Sequence, residues 1–165
     1  MRWVSCAVVW GCFLLAGCSV DQYKSPELLK TNDSFKHRKF TFEGDYKAAV
    51  ERLKSRVPEC LSRRIVNRAD PSRGVSTATD YTPTLKIGET TTELHLQQKI
   101  SGVIKPWSEP EAGLFAITAE LKKLEGQQLA GEIHYPNGLG GYGGMGNYAD
   151  AIEGWMRGTH MLCPN

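Results

Sequence analysis

The stretch TELHLQQKI, residues 92–100, decides the fold: Thr92, Leu94, Leu96, Gln98 and Ile100 alternate with Glu93, His95, Gln97 and Lys99. Successive side chains of a strand point to opposite faces of its sheet, so this alternation predicts a strand with one apolar and one polar face. Two similar runs follow. Phe115, Ile117, Ala119 and Leu121 form the inward set of one, and Leu129, Gly131, Ile133 and Tyr135 that of the other. Between them Glu125 and Gly126 predict a hairpin turn, because glycine takes the positive φ that tight turns need. Weaker strand signals lie at Ile65 to Asn67, Val75 to Thr77 and Leu85 to Ile87. Phe40 and Phe42 are spaced for one face of a further short strand.

The period changes on both sides of this region. After Asp45, a residue suited to capping, Tyr46, Ala49, Val50, Leu53 and Val57 recur at helical spacing until Pro58. This predicts an amphipathic helix of about 12 residues with Lys47, Glu51, Arg52 and Lys54 in water and Cys60 just past its end. After Pro136 comes a glycine-dense run, Gly138 to Gly146, which predicts a mobile loop. Asn147 then caps a last helix whose apolar stripe is Tyr148, Ile152, Trp155 and Met156. Helix, several antiparallel strands, helix: the order predicts an α+β fold, an antiparallel sheet with an N-terminal and a C-terminal helix packed on one face.

The N-terminus has a different character. Met1, Arg2 and Trp3 make a charged tip, and the apolar run from Val4 to Ala16 is about 13 residues against the roughly 20 that span a bilayer. This is the layout of a secretory signal. Leu15, Ala16, Gly17 and Cys18 resemble the lipobox of bacterial lipoproteins. Cys12 is the rival, but bulky Trp10 stands where a small residue is expected. The resemblance implies removal of residues 1–17 by the lipoprotein signal peptidase, a thioether-linked diacylglyceryl group on Cys18, and acylation of the freed amine by a chain such as palmitate. Two or more acyl chains anchor stably where one holds marginally. An aspartate after the cysteine marks inner-membrane retention in many Gram-negative bacteria, and here Ser19 stands there. The resemblance thus points to the outer membrane, facing the periplasm. Residues 18–34, with Asp21, Gln22, Lys24, Ser25, Pro26, Lys30, Thr31, Asn32, Asp33 and Ser34, read as a lipidated flexible tether. Residues 35–165 read as a single domain.

Of five cysteines, Cys6 and Cys12 would leave with the leader and Cys18 would carry lipid. Cys60 and Cys163 remain, and in an oxidising compartment they are expected to form one disulfide that clamps the two helix ends. A zinc or redox pair is disfavoured, since there is no C-x-x-C. The formal charge of +2 gives no electrostatic claim on nucleic acid. The basic clusters Lys36 to Lys39 and Arg63, Arg64 and Arg68 are flanked by acids and read as solvated faces.

Motifs for catalysis are weak. Gly138, Gly140 and Gly143 satisfy G-x-G-x-x-G, but the alternating βαβ pattern that gives this fingerprint meaning is missing, and no nucleotide or other cofactor is expected. His37, His95, His134 and His160 show no metal-binding spacing. His95 and His134 fall on the outward parity of their strands and are expected to be surface polar residues. No G-x-S-x-G or S-x-x-K set is present. The reading is therefore a membrane-anchored, non-catalytic binding or scaffold domain. Tyr142 and Met145 on the glycine-rich backbone, and Trp107 between two strands, are candidate contacts for an envelope protein partner. The alternatives are an inhibitor or immunity-type lipoprotein, or a periplasmic hydrolase built on His95, His134 and nearby carboxylates.

Overall fold

Strands β1 (Lys36–Glu43), β2 (Arg63–Asp70), β3 (Val75–Ile87), β4 (Thr91–Gly102), β5 (Leu114–Lys123) and β6 (Gln128–Tyr135) form one antiparallel sheet in the order β1-β6-β5-β4-β3-β2. Strands β2 to β6 are a meander, and β1 joins its far edge beside β6. The computed structural model describes residues 23–33, 35–70, 75–102, 109–136, 145–159 and 162–164. The expected leader, Cys18, Trp107, Tyr142, His160 and most of the glycine-rich run lie outside the described residues.

The strands follow the sequence pattern closely. Glu125 and Gly126 make the β5–β6 turn, with Gly126 at φ 66° and the Leu124 amide donating to the Gln128 carbonyl at 2.9 Å. The two weak signals at Val75 and Leu85 belong to one 13-residue strand that runs through Pro83. Proline lacks a ladder donor and is confined to edges. Strand β2 pairs β3 only from Val75 to Tyr81, so β3 is the sheet edge where Pro83 stands.

Helices α2 (Tyr46–Leu61) and α3 (Met145–Arg157) pack together on one face of the sheet. The core between them takes Leu94, Leu96, Ile117, Ala119, Leu121, Leu129 and Ile133 from the sheet, Val50, Leu53 and Val57 from α2, and Ile152, Trp155 and Met156 from α3. Gly131 stays a glycine for a packing reason: a Cβ there would stand 2.2 Å from the Phe40 ring, which lies across it from the neighbouring strand. Arg157 of α3 then stacks over Phe40, its guanidinium carbon 4.6 Å from the ring centre.

Cys60 and Cys163 form a disulfide, with Cα atoms 5.0 Å apart. It ties the end of α2 to the segment after α3. The same seam holds Arg52, whose Nε and Nη2 donate to the carbonyls of Trp155 and Met156, each at 2.8 Å. Those carbonyls lie in the last turn of α3 and have no helical partner, so a guanidinium from α2 completes the end of its neighbour.

Several expectations are corrected. Helix α2 continues through Pro58 to Leu61; proline forfeits only the bond to the Lys54 carbonyl, and burial of Cys60 and Leu61 favours the extra turn. Arg52 is not a water-facing residue, for the reason just given. Helix α3 begins at Met145, two residues before Asn147, and takes in Gly146. Met145 is 2% exposed and fills the core, so it is no partner contact. Phe115 leaves the inward set: the β4–β5 register slips between Leu96 and Gln97, Ala116 becomes the extra residue, and Phe115 turns to the opposite face. Finally, the stretch read as a flexible tether contains helix α1 (Pro26–Thr31). Ser25 caps it by accepting from the Leu28 amide, and Leu29 is fully buried.

Candidate functional site

Helix α1 lies on the face of the sheet opposite α2 and α3. It packs on β5 and β6, and its Lys30 pairs with Glu120 at 3.6 Å, a residue that alternates with core-facing Ala119 and Leu121. Register puts one polar row across this face: His37 opposite His134, His134 opposite Thr118, and Thr118 opposite His95. His95 and His134 do not meet. Strand β5 stands between them, which places them two strand spacings apart, about 10 Å. Nor are they surface residues, since they are only 6% and 7% exposed. Both rings do lie on the outward face of their strands, but a short helix near the N-terminus packs on that face.

The row contains a familiar connectivity. Thr118 Oγ1 is 3.1 Å from His95 Nδ1, and His95 Nε2 is 3.5 Å from a Glu93 carboxylate oxygen. Hydroxyl, imidazole and carboxylate in line are the parts of an activated nucleophile. Thr118 is 1% exposed, however, and its hydroxyl has no path to a substrate while α1 is in place. Burial holds the imidazoles of His95 and His134 below the ordinary histidine range, with Glu93 and Glu132 acting in the opposite sense. Among the described residues no group of three or more His, Cys, Asp or Glu side chains is arranged to hold a metal ion. No described helix is long and apolar enough to cross a membrane.

The second candidate is an open cleft of about 730 Å³ at the pole where three connections meet. These are the β1–α2 junction at Gly44 and Asp45, the β3–β4 turn at Gly88 and Glu89, and the β5–β6 turn at Gly126 and Gln127. Hydrogen bonds fix its walls. The Gly44 amide donates to the Gln127 carbonyl at 2.9 Å, and the Lys123 amide to the Thr90 carbonyl at 2.8 Å. The Tyr46 hydroxyl donates to the Gly88 carbonyl at 3.0 Å and lies 2.7 Å from the Thr92 hydroxyl. The Asp45 carboxylate accepts from the Ala48 amide at 2.7 Å, capping α2. Val50, Ile87 and Leu129 supply apolar lining, and Lys47, Lys54, Lys123, Glu51 and Glu89 ring it. Ile87 is 47% exposed, and Leu124, in the β5–β6 turn, is 44% exposed.

The cleft lies at the pole away from the N-terminal entry. Tyr23 packs on Phe35 with ring centres 5.3 Å apart, just before β1 starts, and the eight residues of β1 end at the cleft. At about 3.3 Å per residue the strand separates the two by roughly 25 Å. A second hollow near the entry is rich in cations, and three of them are paired: Lys39 with Glu132 at 3.0 Å, Lys30 with Glu120, and Arg38 with Asp150. Of the contacts suggested by sequence, Met145 is part of the core and away from the cleft lining, while Trp107 and Tyr142 lie outside the described residues. Compared with protein-family models and with curated proteins, the sequence matches none.

Proposed function

We propose that the mature chain is a lipid-anchored domain of the bacterial envelope, held at the outer membrane through Cys18 and binding another envelope component without catalysis. The observation that carries the binding part is the cleft: apolar lining, charged rim, rigid walls and exposed Ile87, at the pole away from the N-terminal entry. A domain tethered at one pole offers the other to a partner. The anchoring part rests on Arg2, the apolar run and Leu15, Ala16, Gly17 and Cys18.

Each part has its own test. Cys18→Ala is expected to abolish incorporation of a labelled fatty acid and to leave a slower-migrating precursor, because the thiol is the acceptor; label retained in the variant overturns the anchor. For the cleft, a photo-crosslinking residue is placed at Lys47 or Glu89, and as controls at Lys36 or His37 near the entry pole. Intact envelopes are expected to give one discrete adduct from the cleft positions, absent from the controls and lost when Ile87→Asp is added. Equal adducts from both poles, or none, overturn the cleft. An adduct with a hydrolase or toxin would make the domain its inhibitor.

A further inference from the structure

Helix α1 has six residues, too few to persist alone in water, so it stays helical only while docked. Its docking rests on fully buried Leu29, the Lys30–Glu120 pair, and the packing of Tyr23 on Phe35 that closes the segment on itself. Beneath it are the two imidazoles of the polar row. We propose that α1 is a proton-released clasp, shut over uncharged His95 and His134 near neutral pH and opened by proton uptake at these two residues on acidification.

The charges around both rings are these. His95 faces Glu93 on its own strand, Lys86 of β3, and Glu27 and Lys30 of α1, with the Thr118 hydroxyl of β5 on Nδ1. His134 faces Glu132 at 2.9 Å, His37 of β1 with ring centres 6.0 Å apart, and Lys30. Glu132 is already shared with Lys39, and Glu120, the partner of Lys30, is shared with Lys122 at 2.6 Å. Lys30 is thus the cation common to both rings, and it belongs to the lid. Protonating either imidazole places a charge in a desolvated site beside that cation, and lifting α1 removes both penalties together.

The sign follows from linkage. In the closed form burial, the largest cause, holds both imidazoles below the ordinary value. In the open form they return toward about 6.5. The open form therefore binds more protons, and closure weakens as pH falls through about 6.5, levelling off below the closed-form values. Each unit of depression is worth about tenfold in the opening equilibrium. Opening frees residues 23–35, whose extended reach is roughly 45 Å. Under the lipid-anchored reading that lengthens the tether; the clasp itself does not depend on the anchor.

Hydrogen exchange of the full chain in detergent micelles tests it, comparing peptides over 26–31 and 115–121 at pH 7.5 and pH 5 after correction for intrinsic rates. The opening constant of 26–31 is expected to rise at least about tenfold on acidification, with 115–121 still protected. The His95→Gln, His134→Gln double variant is expected to show no such rise. Equal protection of 26–31 at both pH values, or a rise that persists in the double variant, overturns the proposal. Should that variant not fold, ring proton titration of the natural chain decides: midpoints for both histidines at or above that of an unstructured histidine peptide overturn it, and midpoints below support it.

Discussion

Trp155→Ala is expected to lower the unfolding free energy by about 3–5 kcal/mol. The indole is fully buried in the cluster shared by α2, α3 and the sheet, and its Nε1 donates to the Leu162 carbonyl at 3.3 Å. Two costs add. The apolar contacts of a large ring are lost together with a cavity that close packing leaves only partly collapsed, and the Leu162 carbonyl loses its donor. The second loss falls on the segment that leads to Cys163. Urea denaturation followed by circular dichroism reads the effect as a lower midpoint at unchanged slope. In a domain of this size the melting temperature should fall on the order of 10 °C. A loss below about 1 kcal/mol would mean that Trp155 is not the keystone between helices and sheet.

Much of this core was legible because the sheet has one continuous apolar face. Leu94, Leu96, Ile117, Ala119, Leu121, Leu129 and Ile133 keep period two, and Tyr46, Ala49, Val50, Leu53 and Val57 keep the helical period. Both stripes report burial directly. The failures come from features that break a period for a local reason. The bulge at Ala116 shifts Phe115 to the other face, and no residue type announces a bulge where the extra residue is a plain alanine. Pro58 reads as a stop, yet a helix can spend its missing hydrogen bond one turn from its end when the residues beyond it are buried.

The site was less legible, and for a different reason. Outward parity on β4 and β6 identifies which face His95 and His134 occupy, but burial on that face depends on six residues of α1. In sequence, Pro26 to Thr31 shows only Leu28 and Leu29 as apolar signal, and of these Leu29 alone is buried. A single anchoring residue is too little for a periodic pattern. The capping signal Ser25-Pro26 before Glu27 was present and points to a helix start. The cleft was invisible by construction, because it is made by three connections that are far apart in the chain and meet only through the β1-β6-β5-β4-β3 order.

Removing the disulfide is expected to cost about 2–5 kcal/mol, read from the double variant Cys60→Ser, Cys163→Ser. The bond links residues 103 apart, so in the unfolded chain it closes a loop over most of the domain. The chain-entropy argument alone gives about 4–5 kcal/mol for such a loop, an upper figure because compact unfolded chains have less freedom to lose. In the folded state the link also holds the segment that follows α3. After α3 ends, residues 162–164 are kept by the Trp155–Leu162 bond, the Arg63 guanidinium on the Pro164 carbonyl at 3.1 Å, and the disulfide. Cutting it should therefore free this segment before the domain unfolds, while the Arg52 contacts on Trp155 and Met156 keep α3 docked on α2. Two measurements separate these effects. Alkylation of the unreduced, denatured natural chain should leave both Cys60 and Cys163 unlabelled, and denaturation of the double variant should show the lower midpoint with its helix signal intact beforehand. Labelled Cys60 and Cys163 would sink the bond itself. An unlabelled pair with an unchanged midpoint would mean that the unfolded chain is already held compact by contacts other than the link.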